Sequence, residues 1–235
     1  MNLIAQTFGV SRVLLPVIHP VSRVIALDSI RLCVRVGIRG IFLINQGMRE
    51  DELLALLREV QGRFPALWVG VNLLGLSAAA ALSTLYGKID GIWTDTAEID
   101  ERRKEQPVAA AFGKDRHERG WGGLYFGGVA FKYQREVAHD QLCSAAAAAS
   151  PYVDVLCTSG PGTGKPVDVH KLIELRHGLA NNDKPLALAS GVTVKNVHAY
   201  LPYVQAFLVG TGIEKSLGVI DGAAVAALQR IVEGS

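Results

Sequence analysis

A chain of 235 residues is long enough to bury one sizeable core, and its 49% apolar and 20% charged residues are typical of a globular protein. The net charge of +2, with mixed signs, excludes the concentrated basic face of a nucleic-acid binder. The longest apolar runs fall far short of the roughly 18 residues of a membrane span, and the N-terminus lacks a signal-peptide pattern. Cys33, Cys143 and Cys157 are scattered without metal-ligand spacing, which indicates reduced, buried thiols. We therefore expect a cytoplasmic protein.

Short apolar runs alternate with segments of helical pattern along the whole chain, as in parallel sheets whose strands are buried on both faces. The predicted strands are residues 13–18, 40–45, 67–72, 90–94, 122–131, 152–157, 186–190 and 206–210. Five predicted helices have defined ranges, namely residues 24–36, 49–63, 139–149, 194–201 and 221–232. Of the other three, one is capped by Ser77 and runs through Tyr86, one lies within residues 99–119, and one is capped by Asp168 and runs to residue 179. Pro107 predicts an irregular start for the fourth helix.

This alternation predicts a single TIM-barrel domain, a (β/α)8 barrel over residues 1–235, because no linker is long enough to divide the chain. A doubly wound open sheet is the competing architecture. It would usually carry a glycine-rich dinucleotide fingerprint after the first strand, where this chain has His19-Pro20-Val21-Ser22. The barrel is the preferred prediction.

Small residues end the last two predicted strands: Ser190-Gly191 follows the seventh and Gly210-Thr211-Gly212 the eighth. Glycine permits a tight turn and leaves backbone N–H groups open to an oxyanion, and the loops after strands 7 and 8 of such barrels often bind phosphate. We predict that backbone N–H groups hold a phosphate here, helped by the partial charge of a following short helix start. The alternative is that the glycines only make turns.

Chemistry in such a barrel takes place at the rim formed by the carboxyl ends of the strands. The polar residues predicted at this rim are His19, Asn45, Asn72, Asp95, Lys132, Ser159, Ser190 and Thr211. His19 is an acid–base candidate, or else a hydrogen-bonded structural histidine. Asn45 and Asn72 either hold substrate hydroxyls or satisfy the backbone of a following loop, and Asn72 is the better functional candidate.

Two charged residues at this rim are the main catalytic candidates. Asp95 is predicted as a general base or as an acceptor for ribose hydroxyls, with capping of a helix near Glu98 as the alternative. Lys132 follows a nearly charge-free strand, so we expect its ammonium group to be partly desolvated. Such a lysine forms a Schiff base, acts as an acid, or holds a phosphate or carboxylate, whereas the alternative is an ordinary surface lysine.

The segment 159–165, here called the glycine loop, does not match the phosphate-binding loop of nucleoside triphosphatases. Ser159 stands where that motif needs glycine, and Pro166 stands where it needs Ser or Thr. We predict instead a lid that closes over an anionic ligand. Its predicted hinges are Gly160, Gly162 and Gly164. No metal site and no certain cofactor are predicted, although rim carboxylates could hold Mg²⁺ through the phosphate of a ligand.

Several segments, in order, resemble the BtpA family of TIM-barrel proteins: VLLPVIHP, WVGVNLLG, VAFKY, TSGPGTGKPVD, ASGVTVKNVHAYLP and FLVGTGIEK. The resemblance implies a phosphate-binding barrel similar to ribulose-phosphate-binding enzymes. The family is named for a role in photosystem I accumulation, and other members carry the label phosphoribosyltransferase. The residues that match its motifs are His19, Asn72, Lys132, Ser159, Gly160, Thr163, Gly164, Ser190, Gly191, Gly210 and Thr211. Asp95 and Gly212 are inferred from their positions at strand ends.

We therefore expect an enzyme that acts on a phosphorylated sugar or nucleotide-like molecule by ribosyl-phosphate chemistry, whether transfer, cleavage or isomerisation. Lys132 would stabilise negative charge or act as an acid, and Asp95 or His19 would move the proton. The alternatives are a non-catalytic BtpA-like assembly factor and a phosphometabolite-binding sensor. The expected partners are the phosphorylated ligand and further copies of the chain in a homo-oligomer, with no nucleic acid and no membrane span.

Overall fold

Eight parallel strands form a closed barrel in the computed structural model, which describes residues 3–85, 88–180 and 184–234. The strands, in chain order and in barrel order, are β1 Val13–Ile18, β2 Gly40–Ile44, β3 Trp68–Asn72, β4 Gly91–Thr94, β5 Leu124–Gly128, β6 Val155–Thr158, β7 Leu186–Ala189 and β8 Ala206–Val209. The helices are α1 Leu3–Phe8, α2 Arg23–Arg35, α3 Glu50–Arg63, α4 Ala78–Thr84, α5 Pro107–Glu118, α6 Leu142–Ala149, α7 Val169–Leu179 and α8 Gly222–Glu233. The predicted (β/α)8 barrel is confirmed.

The fifth strand differs most from its prediction, because it ends at Gly128 rather than at residue 131. Ala130 has a φ of +49°, a left-handed conformation that a strand does not contain. The N–H of Val129 still donates to the carbonyl of Cys157, and the chain then turns away from the sheet. Lys132 therefore lies in the loop beyond β5 and not directly at the end of the strand.

Two helix predictions are wrong for local reasons. Pro107 occupies the first turn of α5, where its fixed φ suits the helix and its missing N–H costs nothing, so it starts the helix instead of disturbing it. The helix predicted over residues 194–201 is reduced to a 3₁₀ turn at Val197–Ala199. Asn196 accounts for this difference: its side chain accepts from the N–H of Thr193 and donates to the carbonyl of Gly191, so it competes with helical hydrogen bonding.

Both predicted helix caps are present, since the side chains of Ser77 and Asp168 accept from backbone N–H groups of α4 and α7. The side chain of Asp221 likewise accepts from backbone N–H groups of α8. Asp221 is the capping residue of α8 rather than its first residue. Tyr86, the predicted end of the third helix, lies outside the described residues.

The barrel strands contribute to two apolar clusters. One lies between the strands and the helices, and the other fills the barrel interior.

The barrel interior is filled by matching large side chains with glycines on neighbouring strands. Phe42 packs edge-to-face on Trp68 and on Phe126, with ring centroids 5.3 Å and 5.1 Å apart. A Cβ atom at Gly70 would lie 2.3 Å from the ring of Phe42, and one at Gly91 would lie 2.4 Å from Trp68. The two glycines therefore leave the space that the aromatic rings occupy.

The helix α1 was not predicted, because six residues are too few for a helical period to be recognised. Ile4 and Phe8 are buried in the cluster that fills the barrel, and the ring of Phe8 lies 5.3 Å from that of Trp68. This helix therefore closes the end of the barrel opposite the rim. Among the described residues, no helix is long and apolar enough to cross a membrane.

Replacement of Phe8 by alanine should lower the free energy of unfolding by about 3–5 kcal/mol, the usual cost of emptying a buried aromatic site. Urea denaturation followed by circular dichroism measures this loss. Thr7→Ala, at an exposed position of the same helix, is the control and should change the free energy of unfolding by less than about 0.5 kcal/mol. Equal effects of the two substitutions would contradict the role given to α1.

Candidate functional site

A small cavity of about 60 Å³, here called the mouth cavity, lies where the strands end at the rim. Several residues predicted for the site line it, namely His19, Lys132, Thr163, Gly164, Ser190, Gly210 and Thr211. Its other walls are Val17, Ile44, Gln46, Trp93, Ala189 and Leu208, of which the sequence analysis singled out none. The structure thus brings the acid–base candidate His19 and the cation Lys132 to one place.

The backbone at the ends of β7 and β8 forms an open turn of the kind predicted. Ser190 and Gly191 have φ values of +107° and +71°, so the chain reverses sharply after β7. Among the described residues, the N–H group of Gly191 makes no loop or turn hydrogen bond, and those of Thr211 and Gly212 lie in the first turn of a 3₁₀ helix, where N–H groups have no partner within the helix. Such N–H groups suit an anion. The short helix start predicted after β8 is only a 3₁₀ turn at Thr211–Ile213, so a helix dipole adds little here.

Close packing also accounts for the glycines at these turns. A Cβ atom at Gly191 would lie 2.0 Å from the carbonyl oxygen of Lys165, and one at Gly212 would lie 1.9 Å from that of Val192. At Gly210 the added atom would lie 2.7 Å from Cε1 of His19. Close packing at the turns is therefore enough to explain why these three residues are glycines, in agreement with the alternative that the glycines only make turns. The open N–H groups are a separate feature, and they are what suits a phosphate.

His19 and Glu214 form a buried pair, with Nδ1 of the histidine 2.8 Å from Oε1 of the glutamate and side chains 10% and 4% exposed. An ionised carboxylate only accepts hydrogen bonds, so Nδ1 is the donor, and in the neutral imidazole Nε2 then keeps its lone pair. The N–H of Gly218 donates to the same oxygen at 3.1 Å. This second bond fixes Glu214, which belongs to the β9–β10 hairpin of Glu214–Ser216 and Val219–Ile220. Sequence reasoning missed Glu214, although it lies in the FLVGTGIEK segment.

Asn72 and Asp95 form a second polar pair, in which Nδ2 of the amide donates to Oδ1 of the carboxylate at 3.1 Å. Burial raises the pKa of Asp95, opposed by this hydrogen bond and by the charge of Lys132. Asp95 caps no helix, because α5 begins at Pro107, so the capping alternative is wrong. Neither residue lines the mouth cavity; Asp95 lies in the wall of a separate cavity of about 120 Å³.

Asn45, the other asparagine at the rim, bonds to the backbone of a loop, which was the alternative to holding substrate hydroxyls. Oδ1 of Asn45 accepts a hydrogen bond of 2.7 Å from the backbone N–H of Leu74, in the loop that follows β3. Its side chain therefore satisfies loop backbone, as expected for an asparagine at the end of a strand.

The glycine loop lies over the mouth and is held there by hydrogen bonds of moderate length. Ser190 Oγ donates to the carbonyl of Gly162 at 3.0 Å and accepts from the N–H of Gly164 at 3.2 Å. The ammonium group of Lys132 is 3.5 Å from Oγ1 of Thr163. Small-molecule sites usually measure roughly 300–1,000 Å³, so a ligand larger than a few atoms fits the mouth cavity only when this loop moves.

The predicted hinges of the glycine loop are not equivalent. A Cβ atom at Gly160 would lie 2.3 Å from the carbonyl oxygen of Lys165, so Gly160 is packed against the end of the loop. Gly164, with a φ of +71°, adopts a conformation that favours glycine, and Gly162 has ordinary contacts only. Hinge motion therefore stays a prediction, and Gly162 and Gly164 are its better candidates.

A second and larger cavity of about 520 Å³, here called the outer cavity, lies between the loops that follow β5 and β6. The predicted residues Lys132, Ser159 and Gly160 contribute to its walls. Sequence reasoning missed Lys171, on α7, whose Nζ donates to the carbonyls of Ala130 and Ser159. Burial lowers the pKa of Lys171 to about 8. In the part of the chain that the structure describes, no cluster of His, Cys, Asp and Glu is suited to a metal ion.

No protein-family model matches the chain, and no curated protein sequence matches it. Solved structures do match. Phosphoribosyl anthranilate isomerase from Thermus thermophilus is 14% identical, with 92% of this chain and 96% of that chain covered and a TM-score of 0.61. Thiamine phosphate pyrophosphorylase from Pyrococcus furiosus is 15% identical, with 99% and 98% covered and a TM-score of 0.63. Tryptophan synthase from M. tuberculosis is 13% identical, with 99% and 100% covered and a TM-score of 0.66. At these identities the likeness shows the barrel fold.

Replacement of Asn72 by alanine should raise the pKa of Asp95 further, because the lost hydrogen bond stabilises the charged carboxylate. The ¹³C chemical shift of the Asp95 carboxyl group, followed against pH, measures the change. Asn45→Ala is the matched control, since Asn45 bonds to Leu74 and should leave the titration of Asp95 in place. An unchanged or lowered pKa in Asn72→Ala would show that this pair does not control the carboxylate.

Glu214 should hold the neutral imidazole of His19 in the tautomer that carries its proton on Nδ1. Long-range ¹H–¹⁵N NMR spectra distinguish the two ring nitrogens. Glu214→Ala removes the acceptor, so the preference for this tautomer should be lost. Glu59→Ala, which breaks surface ion pairs with Arg23 and Arg63, serves as control and should leave the spectrum of His19 as in the original protein.

Proposed function

We propose that this chain is an enzyme that binds a phosphorylated sugar or nucleotide-like molecule at the barrel mouth and acts on it by ribosyl-phosphate chemistry. One observation supports this most: His19 and Lys132 line the same small cavity as Ser190, Gly210 and Thr211 at the ends of β7 and β8. The loops after these strands are a frequent phosphate site in barrels of this kind. Phosphate would sit on the open N–H groups of Gly191, Thr211 and Gly212, beside Ser190 and Gly210.

The side chains around that position supply a proton acceptor and a positive charge. His19, with Nδ1–H committed to Glu214, offers the lone pair of Nε2 as a general base and returns the proton as an acid. The ammonium group of Lys132 stabilises negative charge that develops on the ligand. Asp95 lies outside the mouth cavity but close enough for Lys132 to affect its pKa, so it enters the proposal as a second proton acceptor. Asn72 orients its carboxylate.

The glycine loop would act as the lid of this site. Ser159 and Gly160 stand at its beginning, whereas Thr163 and Gly164 line the mouth cavity. Closure over the ligand would exclude water from the phosphate. Mg²⁺ would be needed only if the ligand carries it on its phosphate groups.

Two similarities point to the same class of ligand. Two of the proteins whose structures match are named for phosphorylated compounds, phosphoribosyl anthranilate and thiamine phosphate. The sequence also resembles the BtpA family, some of whose members are labelled phosphoribosyltransferase, and that membership stays a prediction because no family model matches. A cytoplasmic location and a homo-oligomeric assembly are likewise proposed.

A BtpA-like assembly factor and a phosphometabolite-binding sensor are the competing functions. An assembly factor needs a partner surface and not a convergent polar rim. A sensor would bind the ligand without converting it. Incubation with ribose 5-phosphate or phosphoribosyl pyrophosphate, followed by ³¹P NMR, distinguishes an enzyme from a sensor. An enzyme changes the ³¹P spectrum of the compound and its His19→Ala variant does not, whereas a sensor leaves the spectrum unchanged.

Binding is tested first by a thermal-shift screen with phosphate, ribose 5-phosphate, phosphoribosyl pyrophosphate and nucleoside monophosphates. A ligand at 100 times its dissociation constant should stabilise the protein by about 2.7 kcal/mol. Thr211→Glu places a negative charge at the mouth without disturbing the packed glycines, so it should abolish the shift.

Thr7→Glu introduces the same charge at the opposite end of the barrel and is the matched control. It should keep the full shift. A flat screen with every compound, or equal shifts in the two variants, would overturn the proposed phosphate site.

A further inference from the structure

The outer cavity has the size and the lining of a small-molecule site, although the proposed phosphate chemistry makes no use of it. Its volume of about 520 Å³ lies within the roughly 300–1,000 Å³ typical of ligand sites. Phe131, Leu142 and Val167 form an apolar wall, and each is less than 9% exposed. A wall of this kind binds the apolar body of a ligand and not a phosphate group.

Lys171 contributes a cation to the same wall. Nζ of Lys171 donates to the carbonyl oxygens of Ala130 and Ser159, the latter at 2.8 Å, and both residues also line the cavity. An ammonium group has three N–H donors, so one remains after these two bonds. Ala130 holds its carbonyl towards the lysine from a left-handed conformation with a φ of +49°, which is strained for a residue other than glycine.

The charge of Lys171 has no carboxylate partner among the described residues, and burial lowers its pKa to about 8. The other charged residues of the wall are Lys132, Arg135, Glu136 and Asp168. Arg135 is paired with Glu101, and Asp168 accepts from the N–H of His170 at the start of α7. A half-buried cation without a counter-charge pays a desolvation cost that an anion placed beside it offsets.

We propose that the outer cavity binds a small apolar carboxylate, with the carboxylate group on Nζ of Lys171 and the apolar body against Phe131, Leu142 and Val167. A charge-assisted hydrogen bond to the remaining N–H holds the acid end. This site is separate from the phosphate site at the mouth, and Lys132 is the residue that lines both cavities.

The test uses 4-fluorobenzoate as the probe and ¹⁹F NMR titration of the full chain as the measurement. We expect saturable binding, with 4-fluorobenzamide, the neutral compound of the same shape, binding at least about tenfold more weakly because it lacks the charge. Lys171→Met keeps the length of the side chain and should weaken 4-fluorobenzoate to the level of the amide. Lys184→Met is the matched control, because Nζ of Lys184 also donates to a backbone carbonyl, that of Val153.

A second variant covers the case in which Lys171→Met does not fold. Ala138 is exposed and lines the outer cavity, so Ala138→Trp should fill the cavity and abolish binding of 4-fluorobenzoate while the fold is kept. Ala111→Trp, at an exposed position of α5, should bind it as the original protein does. No binding to the original protein, or equal binding to the protein with and without tryptophan at position 138, overturns the proposal.

Two further outcomes separate this site from the proposed phosphate site. Thr211→Glu should leave binding of 4-fluorobenzoate intact while it abolishes binding of phosphate. Loss of 4-fluorobenzoate binding in Thr211→Glu, together with its displacement by inorganic phosphate in the original protein, would place the probe at the mouth and refute the outer site. Failure of the phosphate screen together with saturable binding that depends on Lys171 would refute only the proposed function.

Discussion

Parallel pairing of the first and last strands is the constraint on which this structure depends. Val13 lies opposite Ala206 and Pro16 opposite Val209, so β1 and β8 close the barrel. The same pairing brings His19 from the end of β1 against Gly210 at the end of β8. The chain then turns immediately into the β9–β10 hairpin, and this hairpin delivers Glu214 to His19 across 195 residues of sequence. The candidate base exists only in the closed barrel, because neither half of the chain contains both members of the pair.

The unequal filling of the barrel explains where the mouth cavity lies. Strands β2 to β5 send aromatic side chains inward, among them Phe42, Trp93 and Phe126, whereas β7 and β8 send in three alanines and one leucine, namely Ala187, Ala189, Ala206 and Leu208. Small side chains on one side leave space at the rim, and Ala189 accordingly lines the cavity. A cavity beside β7 and β8 also borders the turns with open N–H groups. The packing that stabilises the barrel thereby sets the position of the site.

The sequence was sufficient for the barrel and for part of the site, and the limits have physical causes. Strands buried on both faces are continuous apolar runs, so all of them could be placed, and polar residues directly after such runs had to lie at the rim. Local conformation that depends on a single residue was harder to predict from the sequence. Ala130 ends β5 early because it is left-handed, and the side-chain bonds of Asn196 replace a predicted helix. Glu214 and Lys171 were missed because their roles come from tertiary contacts. Nothing in the pattern of α7 distinguishes Lys171 from a lysine on the exposed face of a helix.

The loops around Lys132 suggest that the two cavities are mechanically independent despite sharing that residue. The start of the glycine loop is fixed, because Ser159 Oγ accepts from the N–H of Lys132 at 2.8 Å and its carbonyl accepts from Lys171. The middle of the loop is held by longer contacts, of 3.0 and 3.2 Å from Ser190 Oγ to Gly162 and Gly164 and of 3.5 Å between Lys132 and Thr163. Bonds of that length are near the limit of hydrogen bonding and break first when the loop moves. We therefore expect the predicted opening of the mouth to displace Thr163 while Ser159 and the anchor of Lys171 stay in place, so that the wall of the outer cavity would persist through the movement that admits a ligand to the mouth.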